Sequence, residues 1–277
     1  MPEDSKAVVI SGGTSGMGRA VALARLARGD RVTVIGSSGA RGRALLDEAG
    51  DARLRFLRAD LSSIAEVERV AARIGEEYGA VDALGLFANR IAAKRVETAD
   101  GLESTFALYY LSRHLLGTLL RPLLDAAPAP VIVNVAGVGT TAGGIVWDDP
   151  QLVRRYGQVR AQLQAGRAND LLGVAFAERG YGRARYVLYH PGFTRSGTDG
   201  HPNPLVRSSI KVLARFFARS VDEAVRPIVG WIDEPPAAPL AAFDRGEPVE
   251  LSLKTLDPGD AARLADYTEG LLRERGR

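Results

Sequence analysis

The sequence predicts an α/β fold: one doubly wound parallel sheet of about seven strands, with helices on both faces. Three observations carry that prediction. Short apolar, β-branched runs alternate with stretches of helical period along most of the chain. The first run, Val8-Val9-Ile10, enters the turn Ser11-Gly12-Gly13-Thr14-Ser15-Gly16-Met17-Gly18, which opens directly into a helical stretch. A later run, Val131–Val135, is nearly continuous in apolar residues, as expected of a strand covered by helices on both sides. No internal repeat and no linker divides the 277 residues, so residues 1–277 are expected to form a single domain.

The elements follow in order. After the glycine turn, Val21, Leu23, Ala24 and Leu26 give the first helix its apolar face. Arg31–Ile35 alternates as a second strand, and Arg41–Ala49 is a helix closed by Gly50. Leu54–Ala59 is the third strand. Ser62 or Ser63 then caps a helix whose Ile64, Val67, Val70, Ala71 and Ile74 share one face. Ala83–Ala88 is strand four, Leu102–Asp125 one long helix, Gln162–Arg179 another, and Arg185–Tyr189 strand six. The 194–220 region is rich in glycine, proline and polar residues at its start and is expected to act as a substrate loop or lid. Helices Leu205–Ala218 and Val221–Ile232, a last strand Val249–Leu253 and a terminal helix Gly259–Arg275 complete the chain.

Composition narrows the function. Apolar residues at 46% suffice for a sizeable core. The 36 basic and 33 acidic residues nearly balance, and no basic run stands out, so no nucleic-acid surface is expected. Without cysteine there is no disulfide, thiolate metal site or thiol nucleophile, and the three histidines do not cluster into a metal site. No segment reads as a signal peptide or a membrane span, which leads to the expectation of a cytoplasmic protein without a membrane partner.

Gly12, Gly16 and Gly18 stand at the spacing that lets a turn fold tightly and brings backbone N–H groups close to a pyrophosphate. The following helix N-terminus adds unpaired donors and a positive dipole end. Placed between a strand and a helix, the turn points to a dinucleotide, with Thr14, Ser15 and Met17 in the same cradle. At the end of strand two, where an acid commonly holds the ribose 2′-OH, the chain has Ser37, Ser38 and Arg41. Hydroxyls and a guanidinium suit a 2′-phosphate, so the expected cofactor is NADP(H).

Together with Asp60-Leu61, Val133-Asn134-Val135 and His190-Pro191-Gly192, the glycine turn makes the chain resemble the short-chain dehydrogenase/reductase family over nearly its whole length, and within it the retinol dehydrogenase-like branch. The resemblance implies a Rossmann-type sheet. It also implies that Asp60 and Leu61 border the adenine, Ala88 and Asn89 the turn after strand four, and Pro191, Gly192 and Thr194 the nicotinamide.

The chain departs from that family where the family keeps its catalytic Asn, Ser, Tyr and Lys. Gly137 stands in the serine position and Tyr109 in that of the helical asparagine. Counting back from His190-Pro191, the Tyr-x-x-x-Lys pair falls on Gln162 and Gly166. A second register places it on Tyr156 and Arg160, within Tyr156-Gly157-Gln158-Val159-Arg160. Tyr109, Tyr156 and Gln162 are therefore the catalytic candidates, with a packed core tyrosine the alternative for Tyr109 and a surface aromatic for Tyr156. Three functions are compatible. The leading one is an NADP(H)-dependent ketoreductase for a bulky, aromatic polyketide-like ketone that relies on orientation and on the substrate's own proton donor. The others are a non-catalytic NADP-binding homologue, acting as sensor or partner protein, and a non-redox dehydratase, isomerase or cyclase on the same scaffold. Relatives often assemble into homo-oligomers, and Leu115, Leu116, Leu119 and Leu120 fit either such an interface or the core.

Overall fold

The computed structural model describes residues 5–192 and 220–276. The expected helix Leu205–Ala218, Thr194 and the 194–220 region up to residue 219 lie outside the described residues. The strands are β1 (Ala7–Ser11), β2 (Arg31–Gly36), β3 (Leu54–Arg58), β4 (Ala83–Leu86), β5 (Val131–Val135), β6 (Arg185–His190), β7 (Leu240–Asp244) and β8 (Glu247–Pro248). They form one sheet in the order β3-β2-β1-β4-β5-β6-β7-β8, parallel throughout except for the β7–β8 hairpin.

The helices are α1 (Gly16–Ala27), α2 (Gly39–Ala49), α3 (Ile64–Glu77), α4 (Ser112–Leu119), α5 (Arg121–Asp125), α6 (Gln158–Glu178), α7 (Val221–Asp233) and α8 (Pro258–Arg273). Strand periodicity divides the core in two. In β1, Val8 and Ile10 pack with α1, α2 and α7, while Ala7 and Val9 pack with α3, α4, α6 and α8. Arg25, 2% exposed, fastens the far end of α1 through Asp30 at 2.5 Å and Asp233 of α7 at 2.5 Å.

Four expectations are corrected. The sheet has eight strands, and the last strands are β7 and β8 in place of Val249–Leu253. The alternation of Val249 and Leu253 instead lays a turn onto the core, leaving Leu251 exposed. The segment expected as one helix over Leu102–Asp125 begins with a π-helical stretch, Phe106–Leu111, and breaks at Leu120. Asn169 donates its side-chain N–H to the Tyr109 carbonyl at 2.8 Å, taking an acceptor that a regular helix ladder would use. Pro122, which has no N–H, starts the separate short helix. Finally, α6 starts four residues earlier than expected, after the extended Gly157, because Gln158, Val159 and Arg160 form a mostly exposed first turn without an apolar stripe.

The interface leucines are also accounted for. Leu115, Leu116 and Leu120 are buried within the chain, and only Leu119, 40% exposed, remains available to a partner. The period of the segment did not separate these outcomes, since core and interface both demand an apolar stripe.

Candidate functional site

Strand order reverses between β1 and β4, and a cleft of about 790 Å³ opens at their carboxyl ends. In open α/β sheets that switch point is where ligands bind. Gly12, Thr14, Ser15, Gly16, Met17 and Gly18 line the cleft, together with Ser37, Arg41, Asp60, Leu61, Ala88, Asn89, Leu108 and Val135 among others. Two glycines are required by close approach. Gly12 has φ +73, and a Cβ there would lie 2.7 Å from the Ala88 backbone nitrogen. A Cβ at Gly18 would lie 2.6 Å from the Gly12 carbonyl oxygen, so α1 could not sit against the turn. With no acidic residue in its first turn, the α1 N-terminus faces the cleft without a competing carboxylate.

At one end of the cleft, Asp60 accepts from the Ser62 backbone N–H at 3.0 Å and from its hydroxyl at 2.7 Å. Burial works against its charge, yet these bonds and the nearby Arg90 hold the carboxyl below its usual range. The Ser38 hydroxyl caps α2 by accepting from the Arg41 N–H at 3.3 Å, which leaves its own O–H as a donor. Arg58, which the sequence reading passed over, donates to the Ser37 carbonyl at 3.3 Å. A Cβ on Gly39 would meet both Arg43 Nη1, at 3.6 Å, and Arg58 Cδ, at 3.7 Å. Three guanidiniums thus surround the β2–α2 turn, and among the described residues none is paired with a carboxylate.

At the other end, Gln162 reaches the turn after β4. Its Oε1 accepts from Asn89 Nδ2 at 3.0 Å, and its Nε2 donates to the Arg90 carbonyl at 3.2 Å. Tyr156 stands just before α6 and donates its hydroxyl to the Ala92 carbonyl at 2.7 Å, and burial pushes its phenol pKa up. Tyr109 follows Leu108, which lines the cleft, and is itself buried against Ala136 and Ala165. Burial raises its pKa also, against the opposing charge of Arg113. The three candidates are therefore not assembled into one cluster. Only Gln162 bonds a residue of the cleft wall.

Gly137 and Gly166 border open space, since a Cβ at either position would meet nothing within 4 Å. For Gly166, inside α6, this has a measurable consequence. Gly166→Ala is expected to stabilise the protein by about 0.5–1 kcal/mol, because the helix gains propensity without a clash. A urea unfolding curve checks it, with an unchanged midpoint counting against an open space.

His190 and Asp244 tie the ends of β6 and β7 together, Nδ1 to Oδ1 at 2.9 Å. Pro191 and Gly192 follow β6 directly; Gly192 has φ +77, and a Cβ there would crowd Arg245. Among the described residues no group of three or more His, Cys, Asp or Glu is placed to hold a metal, and no helix is long and apolar enough to cross a membrane. Besides Arg58, the sequence reading missed Arg113, 1% exposed on α4. A charged residue four positions after Tyr109, within an otherwise apolar segment, was the available signal.

A family model described as short chain dehydrogenase matches residues 6–148, more than half of the chain. The chain is 29% identical over 288 aligned residues to a Streptomyces sp. (strain C5) protein provisionally named a daunorubicin C-13 ketoreductase, an alignment covering 98% of this chain and 94% of that one. It is 27% identical over 297 aligned residues to retinol dehydrogenase 14 of Homo sapiens, covering 97% and 87%. Among solved structures, an uncharacterised protein from Mycobacterium paratuberculosis superposes with a TM-score of 0.75 at 23% identity, covering 98% and 96% of the two chains. A short-chain dehydrogenase from Streptomyces avermitilis does so with a TM-score of 0.67 at 21% identity, covering 100% and 99%. These structural likenesses concern the fold. Sheet order, glycine cradle and family match agree: the chain belongs to the short-chain dehydrogenase/reductase family of oxidoreductases, whose members bind a nicotinamide cofactor.

Proposed function

We propose that this chain is a cytoplasmic, NADP(H)-dependent ketoreductase acting on a bulky aromatic ketone, with an active site that has lost the family's usual acid set. One observation carries the reading: the cleft at the sheet's switch point keeps the glycine-lined cradle, while Gly137 after β5 and Gly166 of α6, at the positions of the family's serine and lysine, leave open space. The cradle fits a pyrophosphate because Gly12 and Gly18, where a Cβ would strike the Ala88 nitrogen and the Gly12 carbonyl oxygen, keep the turn tight and the α1 N-terminus facing the cleft. Gly12, Thr14, Ser15, Gly16, Met17 and Gly18 would hold the pyrophosphate, Asp60 and Leu61 the adenine, and Ser37, Arg41 and Arg58 the 2′-phosphate. When bound, the cofactor supplies a hydride to a carbonyl carbon. The chain's own contribution is to position the reactants and to shape room for a wide substrate. A relative named for ketoreduction at daunorubicin C-13 supports a ketone as substrate.

Two measurements test this. Alanine at both Arg41 and Arg58 is expected to weaken NADPH binding about 10–100-fold and leave NADH binding nearly unchanged, since charge-assisted bonds to a partly solvated phosphate would together contribute about 1.5–3 kcal/mol. Calorimetry checks it, and equal losses for both cofactors would contradict 2′-phosphate recognition. With the wild type, a 2-hydroxyaryl ketone should be reduced faster than its O-methyl analogue, because the free phenol donates to the carbonyl. Equal rates would contradict assistance from the substrate. NADPH binding without reduction of any aromatic ketone tried would favour the non-catalytic reading.

A further inference from the structure

Arg113 presents a chemical anomaly. It is 1% exposed, yet its guanidinium meets no carboxylate. It donates to the Val135 carbonyl at 2.8 Å, to the Ala88 carbonyl at 3.0 Å and to Asn134 Oδ1, while its Nε has no partner among the described residues. Ala88 and Val135 both line the cleft, so the cation lies directly behind the cleft wall. Burying an uncompensated charge is costly, and neutral donors could join two strand ends at less cost. Its position is fixed. Asn134 points its oxygen at Arg113 because its nitrogen donates to Asn169 Oδ1 at 3.1 Å and to the Tyr186 hydroxyl at 2.8 Å.

The guanidinium carbon lies 4.6 Å from the centroid of the Tyr109 ring. Asn169 anchors the Tyr109 backbone carbonyl, and no hydrogen bond engages its phenol among the described residues. Ala136 and Ala165 flank the ring, each adjacent to a glycine that borders open space. The other charge acting on Tyr109 is Asp170 of α6, already paired with Arg167 at 2.7 Å, and Tyr186 of β6 is the further titratable group beside Arg113.

We infer that, for carbonyl substrates without a donor of their own, Tyr109 is the proton donor of this site and that Arg113 is its positioning residue, holding the ring by its face and stabilising the phenolate that proton transfer leaves. The inference rests on the ketoreductase reading. As the hydride supplied by the family's nicotinamide reaches the carbonyl carbon, the Tyr109 Oη–H bond breaks and its proton forms the new O–H bond on the carbonyl oxygen. The phenolate then lies on the guanidinium, where attraction between cation and ring is strongest, until solvent returns the proton.

The test uses the full chain labelled with ¹³Cζ-tyrosine, the Tyr109 resonance being assigned by its loss in Tyr109→Phe. In Arg113→Met, Tyr109 should titrate at least about one pH unit above the wild type, whereas Arg113→Lys, which keeps the charge, should stay near it. No shift in Arg113→Met, or an equal shift in Arg113→Lys, overturns the inference. Should Arg113→Met fail to fold, Asn134→Asp supplies the guanidinium with a carboxylate and must raise the Tyr109 titration in the same way. With 9,10-phenanthrenequinone and NADPH, Tyr109→Phe and Arg113→Met should each lose about 100-fold in turnover while NADPH affinity stays within about twofold. A wild type that binds NADPH but leaves the quinone unreduced overturns the proton-donor role. A wild type that does not bind NADPH overturns the functional reading instead.

Discussion

Replacing Gly12 with valine is expected to weaken NADPH binding by at least about 100-fold while the chain still folds. The residue occupies φ +73, where a β-branched side chain is strained by about 1–3 kcal/mol. Its Cβ would lie 2.7 and 2.8 Å from the backbone N and Cα of Ala88, atoms that cannot swing aside as a side chain can. Relief requires the turn after β1 to move away from the turn after β4, and both turns line the cleft. A displacement near 1 Å is enough to misplace donors around a pyrophosphate. Calorimetric titration measures the loss, with far-ultraviolet circular dichroism as the control for folding. Retained binding would mean that the dinucleotide does not lie along this turn.

Arg167→Met is expected to be the most destabilising single substitution near the site, by about 3–5 kcal/mol above neutral pH. Arg167 and Asp170 form a buried pair on α6, 7% and 2% exposed. Arg167 also donates to the carbonyls of Thr140 at 2.9 Å and Thr255 at 3.2 Å, pinning the segment after β5 and the turn before α8. Burial pushes Asp170 up to about 7, and Arg167 limits the rise. The sign follows from proton binding. Because the folded pKa exceeds the unfolded one, near 3.9, the folded state binds the extra proton between those values, and stability falls as pH rises through that window. Without Arg167 the folded pKa climbs further and the fall continues above pH 7, at about 1.4 kcal/mol per pH unit. The variant should therefore lag the wild type much more at pH 8.5 than at pH 5.5, where Asp170 is already neutral. Urea unfolding at the two pH values tests this, and a gap that does not change with pH would contradict a buried charge.

Much of the fold was legible because the central strands β1, β4 and β5 read as buried apolar runs, and α1 and α3 carry their faces at helical spacing. β7 escaped notice because Leu240-Ala241-Ala242-Phe243 is short, alanine-rich and preceded by prolines. Its identity depends on long-range packing, with Phe243 stacked on Trp231 at 4.7 Å. The glycine wall of the cleft was legible because the conformations of Gly12 and Gly18 are local. The roles of Arg58 and Arg113 were not, because a guanidinium's partners come from other strands. Tyr156 and Gln162 were competing registers for one catalytic position. The structure ties Gln162 to Asn89 of the cleft wall and Tyr156 to the Ala92 carbonyl.

The most direct test of the account is a calorimetric titration of the purified wild-type chain with NADPH and, separately, NADH. Binding of NADPH at least about tenfold tighter than NADH is the predicted result, a difference of about 1.4 kcal/mol carried by the guanidiniums around Ser37. Equal affinities would contradict the 2′-phosphate site, and no binding of either cofactor would contradict the reductase itself.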